Sequence, residues 1–517
     1  SKGFDFADAE NLKNLNEEFK YFDSLEFSSE SIIAGDPDLK EVAKKASCPG
    51  NSKKNIGTTK FATDGLISYL QDNKPSDQWK NVSQDVKKEI FQKVAAGLNQ
   101  NKSRLFYLLA TEAGKTIKDS DAEVREAIDF VNYYVCENEK IFLPHKLTSP
   151  TGEDNFLSYQ AKGNFLCISP WNFPLAIFVG QITAALVTGN NVIAKPAEDT
   201  SIIAYEIIKI FHDAGVPKEA LQLIIADKEL SNELTKLSWL DGIAFTGSSE
   251  TAKKINLNLA MSDGPIKTFI AETGGLNAMF VDSSALKEQV IDDIVRSAFL
   301  SAGQRCSALR VVYVQDDVAD EYWDYLVEAM KELSLGDPSN LHVDVGPIIN
   351  KPSLEKLIAH TSSLKKKKFR YEELNTKSLN SGNFFNPIVF EINDIKDING
   401  EKFGPILHFI RYKQEELDDL IDQVNATGYG LTMGAHTRIL GKANQIFKKA
   451  NVGNFYLNRD IVGAVVGVQP FGGHGLSGTG PKAGGPNYLK SFLNEKTFTD
   501  NVMATGGNID LLNKNNQ

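Results

Sequence analysis

Cysteine is scarce: four in 517 residues, at Cys48, Cys136, Cys167 and Cys306. They form no CxxC pair and no cysteine–histidine cluster at ligand spacing, which excludes a disulfide framework and a structural zinc site and fits a reducing compartment. The seven histidines show no HExxH or related spacing, so no metal is expected. Long apolar runs are missing as well. Nothing approaches the roughly 18 consecutive apolar residues that a membrane-spanning helix needs, and the polar start SKGFDFADAE lacks the form of a signal peptide. A cytoplasmic location is therefore expected. Basic residues are not in excess: 56 Lys and Arg stand against 67 Asp and Glu, a net charge of −11, which argues against a nucleic-acid surface. The run LKKKKFRY, Leu364 to Tyr371, is followed by acidic residues and reads as a solvated face. No repeat of about 20 to 50 residues is present.

What is present is a chain too long for one core, with 42% apolar residues, enough for two or three domains. Residues 1–30 are polar, with scattered aromatics, and read as a linker or arm. Val124, Ile128, Val131 and Val135 form one helical face after the cap candidates Ser120 and Asp121, and Gly114 ends the helix before it. After Gly163, short apolar runs alternate with amphipathic segments, including a helix from Ser201 to Ala214. That alternation predicts an α/β fold with a parallel sheet covered on both faces and ligands at the carboxyl ends of its strands, where Lys195 and Gly247 stand. A second α/β unit spans 276–460. Residues 31–147 and 161–275 make the first unit, and 148–160 with 484–517 read as extensions.

Two motifs are decoys. GGHGLSG contains GxGxxG through Gly473, Gly475 and Gly478, but it leads into TGPKAGGP, which forbids the helix a dinucleotide fingerprint must open. A glycine-rich loop is the better reading. TEAGKT resembles a phosphate loop, yet the first glycine would have to occupy position 109, which is Leu109.

A lone cysteine is ordinarily a small buried hydrophobe. In SAGQRCSALR, however, Cys306 accompanies SPWNFP at 169–174, KPAE at 195–198, FTGS at 245–248, AETGG at 271–275 and EKFGPI at 401–406. Together these resemble the aldehyde dehydrogenase superfamily, in order and over nearly the whole chain. The resemblance implies a Rossmann-type NAD-binding domain, an α/β catalytic domain at 276–460 and a small β oligomerisation extension. It makes Cys306 the nucleophile, Asn172 the oxyanion donor together with the Cys306 N–H, and Glu272 the base, although the motif reads ETGG where Leu is commoner after the Glu. Lys195 and Glu198 would bind the adenosine ribose. A carboxylate there repels a 2′-phosphate, so NAD is favoured over NADP. Gly247 and Ser248 would receive pyrophosphate at a helix N-terminus. Glu401 and Phe403 would position the nicotinamide ribose, and Ser169 and Trp171 are assigned to the cofactor side.

Arg305, directly before the thiol, is expected to lower its pKa and to receive an anionic group of the substrate. The stretch Val462 to Leu489, DFADAENL near the start and ATGGN at 504–508 resemble the bifunctional proline utilization A proteins, in their domain that oxidises L-glutamate γ-semialdehyde. That resemblance implies backbone N–H groups at Gly463 and Ala464 for the α-carboxylate, Arg305 and Ser307 facing it, and Phe471 and Phe173 along the methylene chain. It also implies a homodimer and a proline dehydrogenase domain outside this chain, while the acidic balance and the lack of a long apolar run leave no nucleic acid and no membrane as partners of this chain. Two alternatives stay open: oxidation of another acidic semialdehyde, and a non-catalytic NAD-binding protein of the same fold.

Overall fold

Two parallel sheets organise the chain, and the alternation of short apolar runs with amphipathic segments accounts for both. A computed structural model describes residues 1–375, 379 and 381–501. The polar start is not a free arm. It carries α1 (Ala9–Asp23), capped by Asp8 and with Leu15 buried, and Phe4 packs on Phe106 while its N–H donates to Asp121. The aromatic residues scattered through an otherwise polar segment are what dock it. The helix α2 (Ile117–Ile141) buries Val124 and Val131 as its spacing predicts, but it starts earlier than expected. Thr116 is the cap, its hydroxyl accepting from the Asp119 N–H at 3.3 Å, while Ser120 bonds back to the Thr116 carbonyl from inside the first turn.

The first sheet is built from β1 (Asn164–Ile168), α3 (Ala176–Val187), β2 (Asn191–Lys195), α4 (Ser201–Ala214), β3 (Leu221–Leu223), β4 (Gly242–Gly247), α5 (Ser249–Met261) and β5 (Thr268–Thr273). Its order is β5-β4-β1-β2-β3, all parallel. Every residue of β1 and β2 is buried, as expected for strands covered on both faces. The chain runs from β1 outward to β3 and returns to β4 on the other side, so a crevice opens beyond the carboxyl ends of β1 and β4.

The second sheet uses β6 (Asn277–Val281), α6 (Lys287–Phe299), β7 (Leu309–Gln315), β8 (Arg370–Glu373), β9 (Ile388–Glu391), β10 (Ile406–Tyr412), β11 (Thr432–His436) and β12 (Asn454–Leu457). Its order is β8-β9-β10-β7-β6-β11-β12, with only the β8 edge antiparallel. A separate antiparallel sheet joins His145–Lys146, Glu153–Ala161 and Leu493–Asn501. The ATGGN stretch and the rest of 502–517 lie outside the described residues. Among those described, no helix is long and apolar enough to cross a membrane.

The glycine-rich GGHGLSG segment forms no helix. It straps the open edge of the first sheet, with the Thr273 N–H donating to the Ser477 carbonyl at 3.0 Å and the Thr479 N–H to the Ala271 carbonyl at 2.9 Å. An edge strand's unpaired main-chain groups are thereby satisfied.

Candidate active site

The segment between α6 and β7 carries Cys306. Ser301, Ala302 and Gly303 precede it with φ values of 55°, 54° and 64°, three consecutive left-handed residues, two of them not glycine. Such backbone costs on the order of 1–3 kcal/mol per residue and persists only where the surroundings hold it. Here they do. A Cβ on Gly303 would stand 2.2 Å from the Gly404 carbonyl oxygen. Arg310, with a side chain 0% exposed, donates to the carbonyls of Gly303 at 2.8 Å, Arg305 at 2.9 Å and Gly404 at 3.2 Å. Asn277 donates to the Cys306 carbonyl at 2.7 Å, and Gln304 is tied to Pro347 and Ile349. The loop is thus gripped at its peptide groups.

Asn172 lies on the turn between β1 and α3. Its side-chain nitrogen donates to the Gln304 carbonyl at 3.1 Å, which spends one N–H and leaves the other. Glu272 is the penultimate residue of β5; among the described residues its carboxylate pairs with no side chain, and the Gly473 N–H faces it. Burial pushes this carboxyl well above its usual range. Room for it depends on Gly472, where a Cβ would come within 2.4 Å of Glu272 Oε1.

Arg305 pulls the thiol down as expected, but the expected net lowering is overturned. Cys306 is pushed up to about 12, by burial first and then by the carboxylates Glu401 and Glu272, and the opposing pull of Arg305 is the smallest of the causes. Arg305 is already committed: its guanidinium pairs with Asp119 at 3.0 Å and donates to Ser301 Oγ at 2.9 Å. Asp119, far away in sequence, neutralises the charge that adjacency promised. The ligand-free protein should therefore alkylate at Cys306 more slowly at pH 7 than free cysteine does. The rate should rise about tenfold per pH unit through pH 9. Peptide mass analysis separates this site from the exposed Cys136, and a plateau below pH 8 would contradict the burial argument.

One cavity of about 900 Å³ collects the site. Of the residues singled out in the sequence, Lys195, Glu198 and Ser169 stay off its wall and all the others line it. Lys195 is buried at the end of β2 while Glu198 is exposed on the turn after it. Ser169 acts at one remove, donating to Gln181 at 2.9 Å, and Gln181 in turn lines the cavity and donates to Thr246. Ser248 caps α5 at the end of β4, its hydroxyl accepting from the Thr251 N–H at 3.2 Å. Glu401 is held by Arg310 at 3.5 Å and by the Gly275 N–H at 3.3 Å, over Gly274, where a Cβ would collide with it at 1.8 Å. Trp171 meets Phe403 edge-on at 5.5 Å, joining the loops of the two sheets across the cavity.

Several residues of the site had no signal in the sequence. Arg310 and Asn277 brace the cysteine loop; Lys115 and Glu123 contact the Asn172 turn; Glu126 lines the cavity, its carboxyl pushed up to about 7 by burial and by Glu123. The even spacing of Asp119, Glu123 and Glu126 along α2, three and four residues apart, was a pattern that could have marked an inward-facing acidic stripe.

A thiol, a side-chain amide and a buried carboxylate converge in one cavity, beside the crevice at the carboxyl ends of a parallel sheet. The chain belongs to the aldehyde dehydrogenase family, which matches it over residues 59–498. It is 40% identical over 510 residues to the bifunctional protein PutA of Escherichia coli K12, covering 95% of this chain and 37% of that protein. It is 32% identical over 507 residues to the 1-pyrroline-5-carboxylate dehydrogenase of Staphylococcus epidermidis, covering 96% and 98%. The solved structure of a 1-pyrroline-5-carboxylate dehydrogenase from Thermus with bound NAD matches with a TM-score of 0.91 at 29% identity, covering 97% of this chain and 98% of that one. The chain spans between 34% and 39% of the length of the PutA relatives it matches.

Proposed function

We propose that this chain oxidises L-glutamate γ-semialdehyde, the open form of 1-pyrroline-5-carboxylate, to L-glutamate with NAD. The observation that carries the reading is the meeting, in one cavity, of Cys306, Asn172 and Glu272 with the polar wall of Arg305, Ser307 and the Gly463 loop. We read the five-stranded sheet as the cofactor half, the seven-stranded sheet as the catalytic half, and the sheet of Glu153–Ala161 with Leu493–Asn501 as the contact of a homodimer.

The residues fit a dinucleotide. Lys195 is a buried ammonium, pulled down to about 8 by burial, and among the described residues it forms no ion pair. A ribose diol at the end of β2 would supply its missing acceptors, while Glu198, Asp199 and Asp227 nearby oppose a 2′-phosphate there. The N-terminus of α5 offers N–H groups to a pyrophosphate. When bound, NAD accepts the hydride released from the reacting carbon.

Cys306 releases its proton to solvent and attacks the aldehyde carbon as the thiolate, and the free N–H of Asn172 with the Cys306 main-chain N–H holds the oxygen as it becomes an oxyanion. One such donor is worth about 2.7–4 kcal/mol in a comparable site. Collapse of the tetrahedral adduct leaves a thioester on Cys306. Glu272 then takes a proton from water, which attacks the thioester and frees glutamate and the thiol; a carboxylate raised by burial is a stronger base for that step. Phe173 and Phe471 flank the methylene chain, Ser307 and the Gly463 N–H receive the α-carboxylate beside Arg305, and Glu126 accepts from the α-ammonium. The substrate implies a proline-oxidising activity upstream, in the same polypeptide or another.

The test is NADH formation from L-glutamate γ-semialdehyde, succinic semialdehyde and propanal, each with NAD and NADP. The first substrate with NAD is expected to exceed propanal in kcat/KM by at least about 100-fold. Equal use of propanal would remove the carboxylate anchor, and no turnover of any aldehyde would leave a binding protein.

A further inference from the structure

TEAGKT, which fails as a phosphate loop, holds a charge that the chemistry above has not used. Lys115 has a side chain 4% exposed, and its Nζ lies 2.5 Å from Oε2 of Glu123, itself 0% exposed. The same ammonium donates to the main-chain carbonyl of Asn172 at 2.8 Å and sits 3.9 Å from the centre of the Phe173 ring. The other oxygen of Glu123 accepts from the Leu175 and Ala176 N–H groups at 2.8 and 3.2 Å, where α3 begins. One ion pair therefore grips the turn at Asn172 itself and again three residues later. Arg305 faces the same Phe173 ring at 5.3 Å, so two cations contact one ring.

The direction of a side-chain amide follows from the backbone that bears it. A hydrogen bond at the carbonyl of Asn172 fixes the peptide plane next to its Cα, and Gln304 fixes only one amide hydrogen. Displacement of a catalytic group by about 1 Å costs on the order of 100-fold in rate.

We propose that Lys115, locked by Glu123, is a positioning residue: it sets the main chain at Asn172 so that the free amide hydrogen meets the aldehyde oxygen, and it couples that donor to the Phe173 wall of the substrate site. This rests on Asn172 being the oxyanion donor, as read above. The opposing possibility is that the pair merely fastens α2 to α3.

The test is a double-mutant cycle of Lys115→Met and Asn172→Ala, followed by kcat for L-glutamate γ-semialdehyde, NAD affinity, the alkylation rate of Cys306 and the thermal midpoint. Asn172→Ala is expected to lower kcat by about 10²–10³-fold, and Lys115→Met by about 100-fold. In Lys115→Met, NAD affinity and alkylation should stay within about twofold, and the double variant should be no worse than Asn172→Ala alone, because both act through one group. Glu123 left without a partner can unfold the single variant. The pair Lys115→Met/Glu123→Gln removes that stranded charge, keeps an oxygen for the start of α3, and should show the same kcat loss. Losses that multiply with Asn172→Ala, or a lower midpoint with unchanged kcat, would reduce Lys115 to a fastening. An unchanged kcat in Asn172→Ala would instead overturn the oxyanion assignment beneath the proposal.

Discussion

Cys306→Ala is expected to abolish NADH formation, by at least about 10⁴-fold, while the protein still folds and binds NAD. The large effect follows from the chemistry: without a sulfur to hold the carbon tetrahedral, the aldehyde cannot release hydride from the adduct, and the oxyanion donor has nothing to stabilise. The preserved fold follows from how the loop is held. Its three left-handed residues are secured by Arg310, Asn277 and Gln304 through main-chain groups, and the thiol itself meets only the neighbouring Ser307 N–H. Alanine therefore removes the nucleophile and little else. Residual turnover above about 1% would contradict the assignment; a collapsed thermal midpoint would contradict the account of the loop.

The role proposed for Cys306 is legible in the chain alone, but the setting of the thiol is not, and the difference has a physical cause. Strands such as Asn191–Lys195 and the helix Ser201–Ala214 are legible because burial on one or both faces imposes a local pattern of apolar residues. The loops bearing Asn172 and Cys306 and the strand end bearing Glu272 are legible because their residue types sit together in short stretches. Charge compensation has no such locality. Arg305 beside Cys306 promised a depressed pKa, yet its partner Asp119 lies 186 residues earlier, and the two carboxylates that raise the thiol come from distant segments. Arg310 works on Gly404, 94 residues away, and Lys115 on Asn172, 57 residues away, so neither role could be read from neighbours. The early start of α2 was missed for the opposite reason: Thr116, Ser120 and Asp121 are all competent caps, and the choice is made by which hydroxyl reaches a free N–H. Three cofactor-side residues, Lys195, Glu198 and Ser169, stand back from the cavity because a motif marks a stretch and not the side chain that reaches the wall.

Glu272→Gln should separate the two halves of the reaction. Glutamine has the shape of the carboxylate it replaces, Gly472 leaves space against it, and its carbonyl oxygen can still face the Gly473 N–H, so the cavity should survive the change. Thiol attack and hydride release do not need the carboxylate as a base for water; hydrolysis of the thioester does. The expected result in rapid-mixing absorbance is a burst of one NADH per Cys306, followed by a steady rate lower by about 10²–10⁴-fold, with the acyl mass retained on the Cys306 peptide. Hydroxylamine, which attacks a thioester without a general base, should restore turnover. The pH dependence points the same way. Burial raises the Glu272 pKa, so the acid form persists to higher pH than for an ordinary glutamate, and activity should be gained as pH rises through that raised value. In Glu272→Gln this limb should vanish from the steady-state profile. A variant with neither burst nor turnover would place Glu272 before hydride release, as the acceptor of the Cys306 proton. A steady rate equal to that of the unaltered protein would remove it from the chemistry. A burst that stalls makes it the base of the hydrolytic half, a role that burial favours by raising its carboxyl.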